Sequence, residues 1–254
     1  MDKHEEFLEE CHAEIHNMGT NEKLNQLTRS WMNTANKEKY SYHFQWLGRP
    51  IIQYPQDIVA LQEIIWSTQP DLIIETGIAH GGSLILSASI LALLDLFDSE
   101  KGIPSALPRR VVGVDIDIRT HNKEAILKHP LNTRIELIEG SSIDSAIISK
   151  IQNIAQGYKK VMVILDSNHT HEHVLEELRL YSGLVSKHCY MVVFDTVVEF
   201  LDNDSFADRP WDIGNNPWTA VQSFLRETQD FVVDKDMENK LQITVAPGGF
   251  LKRV

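Results

Sequence analysis

LIIETGIAHGGSL, residues 72–84, is the stretch whose reading decides the fold. Leu72–Glu75 is a short apolar run, the chain turns at Gly77, and a helical pattern opens at Ser83 and continues to Phe97. A strand that runs through a glycine-bearing turn into a helix is the opening unit of an open α/β sheet. Gly77 permits a tight turn and a close backbone approach, Gly81 and Gly82 keep the loop free of side chains, and Ser83 suits the helix cap. The backbone N–H groups of such a turn suit a nucleotide or an amino-acid carboxylate. The spacing is G-x-x-x-G-G with no lysine after it, which argues against a dinucleotide fingerprint and against a P-loop. Glu75, just ahead of the turn, suits a cationic or amine-bearing ligand better than a phosphate.

Outward from this unit the same rhythm repeats. Val111–Asp115, Arg134–Ile138, Val161–Asp166 and Tyr190–Asp195 read as strands, with helices expected at Lys123–Lys128, Ser145–Gln156 and His171–Leu184. Most of these strands are nearly unbroken apolar runs, as parallel strands covered on both faces must be. RIELI alternates more and belongs nearer an edge. A mostly parallel, doubly wound sheet with right-handed crossovers follows. Phe231–Asp234 and Gly249–Val254 read as two closing strands, joined as a hairpin by the turn chemistry of Pro247, Gly248 and Gly249.

Residues 1–45 differ. Phe7, Cys11, Ile15 and Met18 fall at helical spacing, and a second helical stretch, Glu22–Asn36, carries Leu24, Leu27, Trp31 and Met32. They form an expected N-terminal helical arm ahead of the main domain, residues 46–254; it either packs on its own domain or builds a subunit interface. The chain has 254 residues, 43% of them hydrophobic, and a net charge of −12. That is globular composition, and its acidity argues against nucleic acid as a partner. Cys11 and Cys189 are too far apart in sequence to read as a ligand pair, so reduced thiols in a cytoplasmic protein are expected. The longest apolar stretch, Ser83–Leu96, is short for a membrane span and carries Asp95, so no membrane partner is expected.

The remaining chemistry gathers at the carboxyl ends of the strands, where open α/β sheets bind ligands. Asp115 ends the second strand and suits ribose hydroxyls; it follows Glu75 by 40 residues, more than the usual ~20, and the Ser99–Pro108 insertion explains much of the difference. Ser142, in the turn Glu139–Ser142, suits an adenine edge or a cap before Asp144. Asp166 and Asp195 end adjacent strands about 4.8 Å apart, so they either converge on one cation such as Mg²⁺ or cap the segments that follow. His169, three residues past Asp166, is placed to act as a base. The run His169, His171, His173 also admits zinc, although only His169 and His173 would share a helical face and the further Asp of a hydrolase motif is missing. The insertion Phe200–Trp218, with four Asp and two Trp, follows the fifth strand and suits a cover over the site, or an ordinary connection.

Taken together, WLGRPIIQYPQDI (46–58), IIETGIAHGGS, VVGVDIDIR, IEGSSID, LDSNHTHEHVLEELRLYSGLVSKHCYMVVFDT and the terminal PGGFLKR resemble the cephalosporin hydroxylase family, which includes sugar O-methyltransferase-like proteins. The resemblance covers about residues 40–254. It implies a Rossmann-like class I fold dependent on S-adenosylmethionine, with a divalent-metal site. Glu75, Gly77, Gly81, Gly82 and Ser83 match the first cofactor motif, where methionine is held; Asp115 matches the ribose acid and Ser142 the residue near adenine. Asp166 and Asp195 match the metal carboxylates, with Asp166 also bordering the cofactor, and His169 matches the base. Phe194 stands where the family often carries an acid, which leaves three alternatives: a weaker metal site, one that recruits Thr196 or Glu199, or none. The reaction implied is methyl transfer to a hydroxyl of a sugar or glycosylated metabolite, in a homo-oligomer. A partner in oxidation and a non-catalytic nucleoside-binding module are the rivals. No 2-His-1-carboxylate spacing supports an independent iron oxygenase.

Overall fold

The computed structural model describes residues 2–103, 107–202 and 208–254. Two long helices open the chain, α1 (Lys3–Thr20) and α2 (Glu22–Lys37), followed by a small hairpin of β1 (Phe44–Trp46) and β2 (Arg49–Ile51) and helix α3 (Pro55–Thr68). The main sheet then builds from β3 (Leu72–Thr76), α4 (Gly82–Glu100), β4 (Arg110–Asp115), α5 (Thr120–Leu127), β5 (Ile135–Glu139), α6 (Ser145–Ala155), β6 (Val161–Leu165), α7 (His171–Ser182) and β7 (Tyr190–Val193). It closes with α8 (Pro217–Glu227), β8 (Phe231–Val233), α9 (Lys235–Leu241) and β9 (Phe250–Arg253). The strand order is β5-β4-β3-β6-β7-β9-β8, with β9 antiparallel to both of its neighbours. This is the expected α/β architecture, with RIELI at an edge as its alternation requires.

The apolar runs work as parallel strands because each is covered twice. On β3, Leu72 and Ile74 join the core formed with α6, α7 and α8, while Ile73 joins the opposite core beneath α3 and α4. Glu75 shares the face of Ile73 and is buried under α4. Gly113 on β4 is small for a packing reason: a Cβ there would fall 2.8 Å from Leu84 Cδ1.

Four expectations need correction. Helix α4 runs from Gly82 to Glu100, longer than the apolar stretch suggests, and by length and composition it is long enough to cross a membrane. Here it packs as a core helix, with Leu84, Ile85, Leu86, Leu91 and Leu94 fully buried. Its cap is Gly81, not Ser83. The closing strands pair, but not as a tight hairpin: Asp234 caps α9 by accepting from Met237 N at 3.1 Å, and the helix carries the chain away before it returns as β9. The turn at Pro247–Gly249 instead delivers the chain into the gap beside β7, where Val193 N donates to Gly249 O at 2.9 Å. Helices α3 and α8 each start with Pro in the first turn, a start signal the alternating strand–helix pattern overshadows. The expected loop Ser99–Pro108 and the insertion Phe200–Trp218, expected as a cover, fall partly outside the described residues.

The arm lies against its own chain. Asn33 and Asp202 exchange two hydrogen bonds, at 3.1 and 3.2 Å, and Asn36 accepts from Tyr54. Tyr40 stacks on Tyr54, with centroids 5.6 Å apart, and meets Trp31 edge-on at 5.0 Å. Gly19 sits so close to α9 that a Cβ would fall 2.2 Å from Asn239 Cγ.

A buried carboxyl ties α3 to the far end of the chain. Asp57 accepts the Thr244 hydroxyl and, at 3.0 Å, the Val245 N–H, and has no exposed surface. Replacing it with alanine strands both donors in the core. Asp57→Ala is expected to cost about 2–4 kcal/mol, measured as a fall in the urea unfolding midpoint at unchanged slope.

Candidate functional site

The register of the parallel strands sets the site. Thr76 on β3 lies level with Leu165 on β6, and Leu165 with Val193 on β7, so all three strands end at one edge. The backbone of β3 turns away at Gly77, whose φ of 86° lies in the left-handed region. The turn passes so close to β6 that a Cβ on Gly77 would fall 2.0 Å from the Asp166 carbonyl oxygen. Gly82 is crowded in the same way by the β1–β2 hairpin, 2.2 Å from Pro50 O.

That hairpin also pins the loop. Arg49 Nε donates to His80 O at 3.0 Å, Asn122 Nδ2 donates to Ala79 O at 2.9 Å, and Arg49 reaches Asn122 Oδ1 at 3.1 Å. With both carbonyls held, the peptide planes between Gly77 and Gly81 are fixed before any ligand arrives. Ser83 serves here in a role other than capping: its hydroxyl donates to Glu75 Oε1. Glu75 Oε2 and Gln53 Oε1 are buried without a hydrogen-bond partner. Burial pushes the Glu75 carboxyl up to about 8, against the lowering effect of Ser83.

Asp115 accepts from Ile78 N at 2.8 Å and Asp117 N at 3.1 Å. A carboxylate has about four lone-pair sites, so two hydroxyls can still be accommodated. Gly77, Asp115, Ile116, Ser142, His173 and Trp211 are among the residues that line a cleft of roughly 210 Å³ at this edge. Ser142 is buried at its wall and is not the cap of α6, because Asp144 takes that place.

Asp166, His169 and Asp195 come together, with one potential ligand atom from each lying within 4.8 Å of the others. His169 Nε2 is 3.2 Å from Asp195 Oδ2, and the Trp211 ring packs edge-on against the imidazole at 4.7 Å. Asp195 adopts a left-handed φ of 54°. Gln53 Nε2 donates to Asp166 Oδ2 at 3.2 Å. Burial, then the charges of Asp195, Glu75, Glu177 and Asp57, push the Asp166 carboxyl well above the carboxylate range. This set of acids, with oxygen donors facing one another, fits a divalent cation.

The neighbours of this trio correct two expectations. Phe194 is buried in the core, and neither Thr196 nor Glu199 replaces an acid there: Thr196 donates to Pro247 O at 2.8 Å, while Glu199 accepts from Gly214 N at 2.9 Å and from Asn216. The three histidines go three ways. His169 meets Asp195, His171 Nδ1 meets Thr219 Oγ1 at 2.8 Å, and His173 Nε2 meets Ser142 Oγ at 3.0 Å. His169 and His173 therefore do not share a zinc site.

Gln53, Arg49, Asn122 and Ile116 carry no signal of their own in the sequence. Gln53 and Arg49 lie within the WLGRPIIQYPQDI stretch, and Ile116 follows Asp115 with its side chain largely exposed to the cleft.

A family model described as Rhamnosyl O-methyltransferase/CmcI matches residues 38–254. The rhamnosyl O-methyltransferase of Mycobacterium tuberculosis (strain ATCC 25618 / H37Rv) is 32% identical over 204 residues, spanning 78% of this chain and 73% of its own. That of Mycobacterium leprae (strain TN) is 30% identical over 210 residues, spanning 82% of each. Among solved structures, a ligand-free CmcI superposes with a TM-score of 0.52 at 18% identity, covering 84% of this chain and 77% of its own. A CmcI structure with Mg and SAM gives 0.50 at 19% identity over the same shares. These two likenesses show a shared fold.

The Glu75 carboxyl makes stability depend on pH. Its folded value of about 8 lies above the ordinary 4.5, so between those values the unfolded chain sheds a proton that the folded chain keeps. Stability of the ligand-free protein therefore falls as pH rises through this window. Glu75→Gln, neutral throughout, is expected to flatten part of that fall, read from urea melts at about pH 5 and about pH 8.

Proposed function

The chain belongs to the Rhamnosyl O-methyltransferase/CmcI family, and from that premise we propose that this S-adenosylmethionine-dependent O-methyltransferase methylates a hydroxyl of a sugar or glycosylated small metabolite. The observation that carries the reading is the meeting of Asp166, His169 and Asp195 beside a cleft whose wall already holds a ribose-type acid, Asp115. The rhamnosyl acceptors named for the curated relatives support a sugar hydroxyl as the target.

The residues fit the cofactor. Gly77 lines the cleft, and Asp115 has capacity for two hydroxyls, whereas Gly81 and Gly82 are buried against Ile126 and Pro50 and act by letting the loop pack rather than by facing a ligand. Glu75 Oε2 and Gln53 Oε1, buried without a partner, leave room for a donor-rich group such as an amino-acid ammonium, whose charge would draw the proton off Glu75. When bound, S-adenosylmethionine supplies an electrophilic methyl group on a positively charged sulfur. The protein's work is to hold the acceptor oxygen in line with that methyl at about 3 Å and to remove its proton.

His169 is the base in this reading. With Nε2 facing Asp195 Oδ2 at 3.2 Å, Nδ1 is the nitrogen left to take a proton, and Asp195 and Trp211 together hold the ring. Asp166 and Asp195 would hold Mg²⁺, which supplies a Lewis acid that lowers the pKa of a bound hydroxyl. A cytoplasmic homo-oligomer completes the proposal. Both cysteines are free thiols, and Phe7, Leu8, Leu27 and Trp31 leave apolar surface exposed on the arm.

Calorimetric titration of S-adenosylhomocysteine, after EDTA treatment and again with Mg²⁺, tests the site. Micromolar binding is expected in both conditions, with a further change on adding Mg²⁺; no binding in either overturns the reading. His169→Ala is expected to lower turnover on a rhamnoside acceptor by about 10²–10⁴ while S-adenosylhomocysteine affinity stays nearly the same. If affinity collapses as well, His169 is not the base.

A further inference from the structure

One wall of the cleft holds a hydrogen-bonded chain that methyl transfer itself does not use. His173 Nε2 lies 3.0 Å from Ser142 Oγ, 3.2 Å from Ser167 Oγ and 3.6 Å from Glu177 Oε1. Glu177, one turn further along α7, is completely buried, and its Oε1 accepts the Ser167 hydroxyl at 2.7 Å. Its other oxygen is buried without a partner. Tyr181, one turn further still, donates to the Ser142 carbonyl at 2.9 Å and so fixes the backbone that carries Ser142.

Counting protons gives this chain a direction. A serine hydroxyl has one proton to give. Ser167 gives its proton to Glu177, so toward His173 its oxygen can only accept. Nε2 of His173 thus faces acceptor oxygens from Ser167 and Glu177, and it must carry a hydrogen; without one, lone pairs would face lone pairs. A protonated Nε2 cannot accept, so Ser142 Oγ must accept from it. The Ser142 proton then has no acceptor among the described residues, and Ser142 lines the cleft.

We infer that the Glu177–Ser167–His173 relay holds Ser142 as a hydrogen-bond donor toward the cleft, and that this polarity makes the site select an adenine base over its 6-oxo counterpart, hypoxanthine. The inference rests on the S-adenosylmethionine reading above. In this inference the Watson–Crick edge of adenine faces Ser142 and presents a bare N1, which accepts a hydroxyl proton. Hypoxanthine carries a hydrogen on N1, so two donors would meet. A site built to hydrogen-bond one partner rejects the analogue that leaves its polar groups unpaired. His173 and Glu177 act through Ser142 and are positioning residues.

The test is calorimetry of S-adenosylhomocysteine and S-inosylhomocysteine on the wild-type protein, Ser142→Ala and Ser167→Ala, with the His173 tautomer read by ¹⁵N NMR. The wild type is expected to prefer the adenosyl ligand by about tenfold or more, with the hydrogen on Nε2. Ser142→Ala should lose that preference through weaker adenosyl binding alone. Ser167→Ala, which releases the imidazole, should shrink the preference and change the tautomer signal. Equal binding of both ligands by the wild type, or a preference untouched by both substitutions, overturns the relay while leaving the cofactor reading intact. Binding of neither ligand by the wild type sinks the cofactor reading and the inference with it. If Ser167→Ala does not fold, the wild-type tautomer decides: a hydrogen on Nδ1 alone overturns the proposal.

Discussion

At Gly77 the backbones leaving β3 and β6 approach so closely that no side chain fits between them: a Cβ would lie 2.0 Å from the Asp166 carbonyl oxygen. The geometry of the whole edge depends on this contact. It brings the glycine loop against the segment that carries Asp166, Ser167, Asn168 and His169, so that Gly77, Ser167 and Asn168 line one cleft and Asp166 and His169 stand beside it in the chain. The positive φ of 86° at the same residue sends the chain over the sheet edge toward α4. The steric and the conformational demand fall on one residue, and only glycine meets both.

Around that contact the protein gathers carboxyl groups, and among the described residues Asp57, Glu75, Asp166 and Asp195 have no lysine or arginine ion-pair partner. Burial, joined by repulsion at Asp57 and Asp166, holds the proton on Asp57, Glu75 and Asp166. Asp166 feels Asp195, Glu75, Glu177 and Asp57, in that order after burial itself. Asp57 is pushed up to about 7 and Glu75 to about 8, in both cases chiefly by desolvation. Two buried or half-buried arginines serve acids away from the edge: Arg109 bridges Asp95 and Asp98, and Arg134 reaches Asp95. An acidic cleft of this kind is held in readiness for positive charge from outside, and both a sulfonium-bearing cofactor and a divalent cation bring it.

The support around the cleft comes from three distant segments. Arg49 on the β1–β2 hairpin fixes the glycine loop, Gln53 ahead of α3 touches Asp166, and Glu177 on α7 orders the hydroxyls and imidazole of one wall. None of these three lies on the strand-end loops where ligand residues are sought first. They stand behind those loops and set how the loops present their polar atoms.

Local rules carry far in this sequence. Apolar runs of strand length, helical periodicity between them, and Gly77 in its turn determined a mostly parallel sheet, the edge on which chemistry collects, and the placement of Glu75, Asp115, Asp166 and Asp195 on it. These signals are legible because backbone conformation and burial periodicity depend on neighbours a few residues away. The partners of the polar side chains were not legible. Gln53 and Asp166 are 113 residues apart, Arg49 and Asn122 73, and Ser142 and His173 31. Three histidines at alternate positions look like one cluster on paper, yet the start of α7 at His171 turns their rings toward Asp195, Thr219 and Ser142. Ser83 looks like a cap, but the packing of α4 over β3 gives its hydroxyl to Glu75. The closing strands look like a hairpin, but α9 intervenes and β9 fills the vacancy beside β7. Hydrogen-bond partners follow from which surfaces meet when the helices close over the sheet, and only the packed structure decides that.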